Sequence, residues 1–168
     1  MDDFKLYYKG GKKITSKISS SLSVLLEPGF WAVILYRVAN AMYRARMPIL
    51  PLIITRLNKL FTHVDISHEC TIGKRLRLPH CSDIVIGSTS IVGSDVEILN
   101  GTTLGATDIR SDKKRHPTIE DGVFLGSGAK ILGDITIGKN SKIGANSVVL
   151  ESVPADSTAI GIPARIIK

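Results

Sequence analysis

Aromatic residues are scarce in this chain: they make up 5% of its 168 residues, with a single tryptophan. A core of stacked rings is excluded, so aliphatic side chains must fill the interior. Cysteine is equally sparse. Cys70 and Cys81 are the only two, and no CxxC pair exists to hold a metal or run disulfide exchange. No metal site is expected, and both residues read as reduced thiols of a cytoplasmic protein. The opening Met1-Asp2-Asp3 is acidic and lacks the basic, apolar and small-residue order of a secretory leader. Long apolar runs are missing too. The apolar charge-free stretches 28–36 and 47–55 fall short of the roughly 20 residues a bilayer core demands, so no spanning helix is expected.

Acidic residues are lacking in one part of the chain. Residues 1–63 carry ten Lys/Arg against three Asp/Glu, whereas residues 64–168 carry twelve of each. The net charge of +7 therefore belongs to the first 63 residues. Lys5, Lys9, Lys12, Lys13 and Lys17 crowd its start. Phe30, Trp31, Val33, Ile34, Leu35, Tyr36, Val38 and Met42 then interleave with Arg37, Arg44 and Arg46, a pattern that predicts an amphipathic helix over 29–46. Met47-Pro48-Ile49-Leu50-Pro51 breaks it, because proline cannot continue a helix interior. A second helix is expected over 52–61. Such a basic helical extension could cap the end of a larger domain, or rest peripherally on anionic lipid at the inner membrane face. Nucleic-acid binding is not expected, since the remaining 105 residues are neutral and carry no binding motif.

What the chain has in abundance is a spacing of six. Ile119, Leu125, Ile131, Ile137, Ile143 and Val149 each follow the last by six residues. So do Ile86, Val92, Ile98 and Leu104, and before them Ile66, Ile72 and Leu78. Small or β-branched residues stand four places after most of these, among them Cys70, Ser90, Val96, Thr102, Val123, Ala129, Ser141 and Ser147. A helix repeats its apolar face about every 3.6 residues and a strand about every 2, so neither fits. A hexad repeat is the mark of a parallel β-helix, in which three hexads make one triangular coil. The fold class expected is mainly β, with about five coils over residues 64–154 behind a short α-helical extension.

The register breaks twice, and both breaks carry histidine. Leu78 to Ile86 spans eight residues, with Pro79-His80-Cys81-Ser82-Asp83 between them. Leu104 to Ile119 spans fifteen, and its polar middle predicts an excursion loop at 106–118. Loops held by a rigid scaffold are where binding and catalytic residues concentrate.

At these breaks the chain resembles the serine O-acetyltransferases among the hexapeptide-repeat acyltransferases. The resemblance rests on Val64-Asp65-Ile66-Ser67-His68, Leu78-Pro79-His80, Ile84-Val85-Ile86-Gly87, Thr103-Leu104-Gly105 and Arg115-His116-Pro117. It continues through Leu125-Gly126-Ser127-Gly128-Ala129, Ile143-Gly144-Ala145-Asn146 and Gly161-Ile162-Pro163-Ala164-Arg165. It implies a left-handed β-helix, a homotrimer with active sites between subunits, and acetyl-CoA as donor. It implies His80 as catalytic base oriented by Asp65, with Arg115 and His116 at the acceptor. Gly105, Ala106, Ser127, Gly128 and Ala145 match positions along the pantetheine arm. Pro163 and Arg165 match a C-terminal tail, residues 155–168, over the CoA site.

The chemistry is consistent with those residue types. An alcohol is a poor nucleophile until a base withdraws its proton, and histidine, with a pKa near 6.5, suits that task. His116 is the rival base, but Asp65 favours His80. Guanidinium binds phosphate well, which suits Arg165 to CoA. Departures from the family pattern bear on the acceptor. Pro79 stands where serine acetyltransferases usually carry an aspartate, and Glu27 is the only acid between Asp3 and Asp65. A buried ammonium without a carboxylate is costly. The acceptor expected is therefore a sugar, free or lipid-linked, in surface-polysaccharide assembly. Serine acetylation for cysteine biosynthesis and a non-catalytic β-helix scaffold are the alternatives.

Overall fold

The structure, a computed structural model, describes residues 25–108 and 113–167. The lysine-rich stretch from Lys5 to Lys17 and four residues of the excursion loop lie outside the described residues. Among the described residues, two helices precede fourteen short strands. Helix α1 spans Pro28–Arg44 and α2 spans Leu50–Thr62. Both carry proline in the first turn, where its missing N–H costs nothing. That is why α2 begins ahead of the expected residue 52: Pro51 breaks the chain before it but opens the next helix.

The strands form three sheets, one for each side of a triangular solenoid. The first side stacks β1 (Val64–Ile66), β3 (Ile84–Ile86), β6 (Thr103–Gly105), β9 (Lys130–Leu132) and β12 (Val148–Val149). The second stacks β2 (Thr71–Ile72), β4 (Ile91–Val92), β7 (Thr118–Ile119) and β10 (Thr136–Ile137). The third stacks β5 (Glu97–Ile98), β8 (Phe124–Leu125), β11 (Lys142–Ile143), β13 (Thr158–Gly161) and β14 (Ala164–Ile166). Pairing is parallel throughout except between β13 and β14.

The register measures each coil. Val85 pairs with Thr103, and Lys130 with Val148, eighteen residues on in each case, which is three hexads. Val64 pairs with Ile84, twenty residues on, because the His80 turn adds two. Thr103 pairs with Lys130, twenty-seven on, because the excursion loop adds nine. Both insertions bulge from corners, so the strands above and below stay aligned.

The hexad aliphatics fill the prism. Ile66, Ile86, Ile98, Leu104, Ile119, Leu125, Ile131, Ile137 and Ile143 are all at most 1% exposed. Burying each contributes on the order of 1.5–3 kcal/mol. Ser90, Thr102, Ser141 and Ser147 share that interior, as does Cys70. Stacked corners come close enough that some glycines have no room for a side chain. A Cβ on Gly126 would lie 2.7 Å from the backbone nitrogen of Ala145 in the next coil.

After residue 154 the tail adds two more strands to the third side. Strand β13 pairs with β11 and buries Ala159, then turns back through β14 as an antiparallel hairpin. No hexad aliphatic marks these strands, because Ile143 pairs with Ala159 only sixteen residues on, two short of three hexads.

At the other end, α1 closes the first coil. Its face of Phe30, Ala32, Val33, Tyr36 and Ala39 is buried. Carbonyls of the first coil have no earlier coil to bond, and α1 side chains take them. The Tyr36 hydroxyl donates to Cys70 O at 2.8 Å, and Arg37 donates to Ile72 O at 2.5 Å and also to Gly73 O. Asn40 Nδ2 donates to His68 O at 2.7 Å. Burial raises the Tyr36 phenol pKa and pushes the Cys70 thiol up to about 12. Tyr36→Phe removes a buried donor and leaves the Cys70 carbonyl with one partner fewer. It should cost about 1 kcal/mol, read as a lower urea midpoint at unchanged m-value. Among the described residues, no helix is long and apolar enough to cross a membrane.

Candidate active site

His80 stands at the corner that leads into the first side of the solenoid. Its φ is 51°, a left-handed turn, and Asp83 nearby has φ 57°. Two such residues in one short corner turn the backbone sharply and leave the imidazole facing a cavity of about 420 Å³. The start of α1 (Glu27, Pro28, Gly29) and the end of α2 (Phe61, Thr62, His63) form its other walls.

The same corner repeats up the solenoid as a column. Gly101 N donates to Ser82 O, Gly128 N to Asn100 O, and Asn146 N to Ser127 O, each at 2.8–2.9 Å. The His80 turn therefore heads a stack that carries Ser127, Gly128 and Ala145, three of the residues matched to CoA. The tail joins it at the top: Gly161 N donates to Ser147 Oγ at 3.1 Å. Arg165 is exposed on the returning strand β14, and Pro163 and Arg165 both line a second cleft with Leu150.

Arg115, His116, Gly105 and Ala106 occupy a different corner, the one that leaves the first side. His116 is 8% exposed. Its Nδ1 accepts the backbone N–H of Thr89 at 3.3 Å and the Thr89 hydroxyl at 2.8 Å. That hydroxyl in turn accepts the N–H groups of Arg115 and His116, each at 3.1 Å. With Nδ1 accepting, the neutral ring carries its proton on Nε2, the atom over Gly87. His116 is thus built as a hydrogen-bond donor, and its free-base lone pair is already used. Burial, then the charges of Arg115 and Lys114, hold its pKa below the ordinary histidine value. Because the folded pKa is depressed, the linked stability is complete above the free value near 6.5. It is lost as pH falls from there through the folded pKa. Lys114 pins the loop end, with Nζ 2.7 Å from His116 O and 2.5 Å from Asp134 Oδ1.

Asp65 sits on β1 and does not hydrogen-bond His80 in this single chain. Its Oδ2 lies 2.7 Å from Lys59 Nζ of α2. The left-handed His63 that ends α2 (φ 57°) turns the chain sharply enough to bring Lys59 back over Asp65. Cys81 is buried, its thiol directed at Thr62 O at 3.7 Å, and burial raises its pKa. A thiol held protonated is a poor nucleophile. Sequence reasoning missed Lys59 and Thr89 here, and named Glu27 without placing it at the site. Only Glu27 left a trace, as the lone acid in a long basic stretch.

A triangular solenoid of hexads, with histidines at its two register breaks, defines a hexapeptide-repeat transferase. The family described as bacterial transferase hexapeptide (six repeats) matches residues 116–151. A serine acetyltransferase of Synechococcus elongatus is 46% identical over 149 residues, which is 88% of this chain and 61% of that protein. The chain thus spans about three fifths of that relative's length. Soybean serine acetyltransferase complexed with serine superposes with a TM-score of 0.89 at 37% identity, covering 98% of this chain and 68% of the soybean chain. The Brucella abortus enzyme in complex with coenzyme A gives 0.88 at 38% identity, covering 98% of this chain and 64% of the other. The chain belongs to the serine acetyltransferase family.

These relatives do not support the sugar acceptor expected from Pro79. That expectation rested on the lack of a carboxylate near His80, and Glu27 stands in the same cavity.

Proposed function

We propose that the chain is an acetyl-CoA-dependent O-acetyltransferase whose acceptor is serine. The observation that carries this reading is the match along nearly the whole chain to serine acetyltransferases, including the soybean enzyme solved with serine. His80 is the general base, and Arg115 and His116 bind the acceptor. When bound, acetyl-CoA supplies a thioester carbonyl as electrophile. His80 takes the proton from the serine hydroxyl as its oxygen bonds the acetyl carbon, and returns that proton to the departing thiolate sulfur. Asp65 leaves Lys59 to hold the imidazole and to stabilise its charged form, the part a carboxylate plays beside a catalytic histidine.

The corner column fits the long arm of CoA. Small residues at Ser127, Gly128 and Ala145 let a pantetheine chain lie against the backbone, while Gly105 and Ala106 serve the same end from the other corner. The separation of the two corners supports assembly of the site between copies. His80 of one chain would face Arg115 and His116 of the next, in a homotrimer of left-handed solenoids. The chain divides on this reading into a helical extension over 1–63, the solenoid over 64–154 and a tail over 155–168. Acetyl-CoA supply suits a cytoplasmic protein.

Release of free thiol from acetyl-CoA, with L-serine set against nucleotide sugars and acidic monosaccharides, tests the acceptor. Saturable turnover with serine is expected, and turnover with sugars alone would overturn it. Arg165 on β14 is assigned to the CoA phosphates. Arg165→Ala should raise KM for acetyl-CoA about ten-fold, the scale of one charge-assisted bond, with KM for serine unchanged.

A further inference from the structure

We propose that Glu27 is the carboxylate that binds the acceptor's ammonium group, so that the His80 cavity selects an amino alcohol over a hydroxyl compound that lacks the amine. This rests on serine as acceptor and names the residue that recognises it.

The residue before His80 is Pro79, which offers no charge. The Asp65 carboxylate, paired with Lys59 in this chain, is the one assigned to the His80 imidazole in turnover. An ammonium drawn into a cavity lined by Phe61, Leu78 and Cys81 would lose its water without compensation. Glu27 is the one carboxylate among the described residues that line this cavity. It precedes the first residue of α1, and its side chain makes no capping bond to that helix. The carboxylate is therefore not spent on holding its own helix end. Its charge is felt at Cys81, the residue after His80, where it contributes to raising the thiol pKa. The α1 start and the His80 turn are brought together by the packing of α1 over the first coil. Both residues line the one cavity, so the acceptor's ammonium meets Glu27 there while its hydroxyl meets His80.

The test is Glu27→Gln, assayed by thiol release with L-serine and with 3-hydroxypropanoate, which keeps the hydroxyl and carboxylate but lacks the amine. The expected result is a rise in KM for serine of roughly ten- to hundred-fold, the scale of a hydrogen bond to a charged group. Turnover of 3-hydroxypropanoate should stay as in the parent. Adding Pro79→Asp to Glu27→Gln restores a carboxylate beside His80 and should recover part of the serine KM. If the parent uses serine and Glu27→Gln leaves its KM unchanged, Glu27 is not the ammonium partner and the serine assignment stands. Equal losses for both acceptors point to a structural role and overturn the inference. A parent enzyme that ignores serine, whether or not it accepts hydroxyl compounds that lack the amine, overturns the acceptor assignment and Glu27 with it.

Discussion

His80→Asn should lower kcat by about 10²–10⁴, the usual contribution of a positioned general base, while leaving affinity for CoA and the thermal midpoint close to the parent. Asparagine is the informative replacement because position 80 has φ 51°. Asparagine tolerates the left-handed region, whereas alanine there adds strain of about 1–2 kcal/mol and would confuse loss of chemistry with loss of the turn. CoA affinity should survive because the residues assigned to it sit on later rungs of the column, at Ser127, Gly128 and Ala145. Unchanged turnover would remove His80 from the mechanism. It would not promote His116 in its place, because the Nδ1 of that ring already accepts two bonds from Thr89.

The solenoid was legible because its physics is local and repeated. Each coil must place one aliphatic per side, so Ile119 through Val149 announce themselves every six residues. The two insertions were legible for the same reason: a break in a strict period can only be a bulge. Extra pairings of twenty and twenty-seven residues follow directly from eight- and fifteen-residue gaps. What escaped depends on groups brought together without a period. Strand β13 pairs two residues short of three hexads, so the tail's pairing with the third side left no mark in the spacing. Lys59 reaches Asp65 only because His63 turns the chain sharply where α2 ends. Glu27 meets the His80 turn because α1 lies across the first coil, and nothing in the spacing of Glu27 and His80 records that crossing. The argument for a sugar acceptor, which the relatives do not support, counted Glu27 as the one acid between Asp3 and Asp65 but had no spacing that places it in the His80 cavity.

Gly87→Ala should displace His116 and reduce kcat/KM for serine about a hundred-fold, the scale of a misplaced binding group. A Cβ built on Gly87 would lie 2.0 Å from His116 Cδ2 and 2.1 Å from Nε2. No rotamer adjustment of a methyl group relieves such an overlap, so the ring must leave its seat. Leaving breaks both bonds from Thr89 to Nδ1, and the loop end held by Lys114 and Asp134 is strained with it. The stability cost should be about 1–3 kcal/mol, typical of overpacking a tight site, read from urea unfolding. Two further readings separate this from general damage. The KM for acetyl-CoA should change less than that for serine, because only Gly105 and Ala106 of the residues assigned to CoA share the Gly87 corner, and Ser127, Gly128, Ala145 and Arg165 lie away from it. The loss of stability below the free histidine value, attributed to His116, should flatten, since a ring released to solvent regains its ordinary pKa. A Gly87→Ala protein with parent-like serine kinetics would show that His116 packs the corner and does not touch the acceptor.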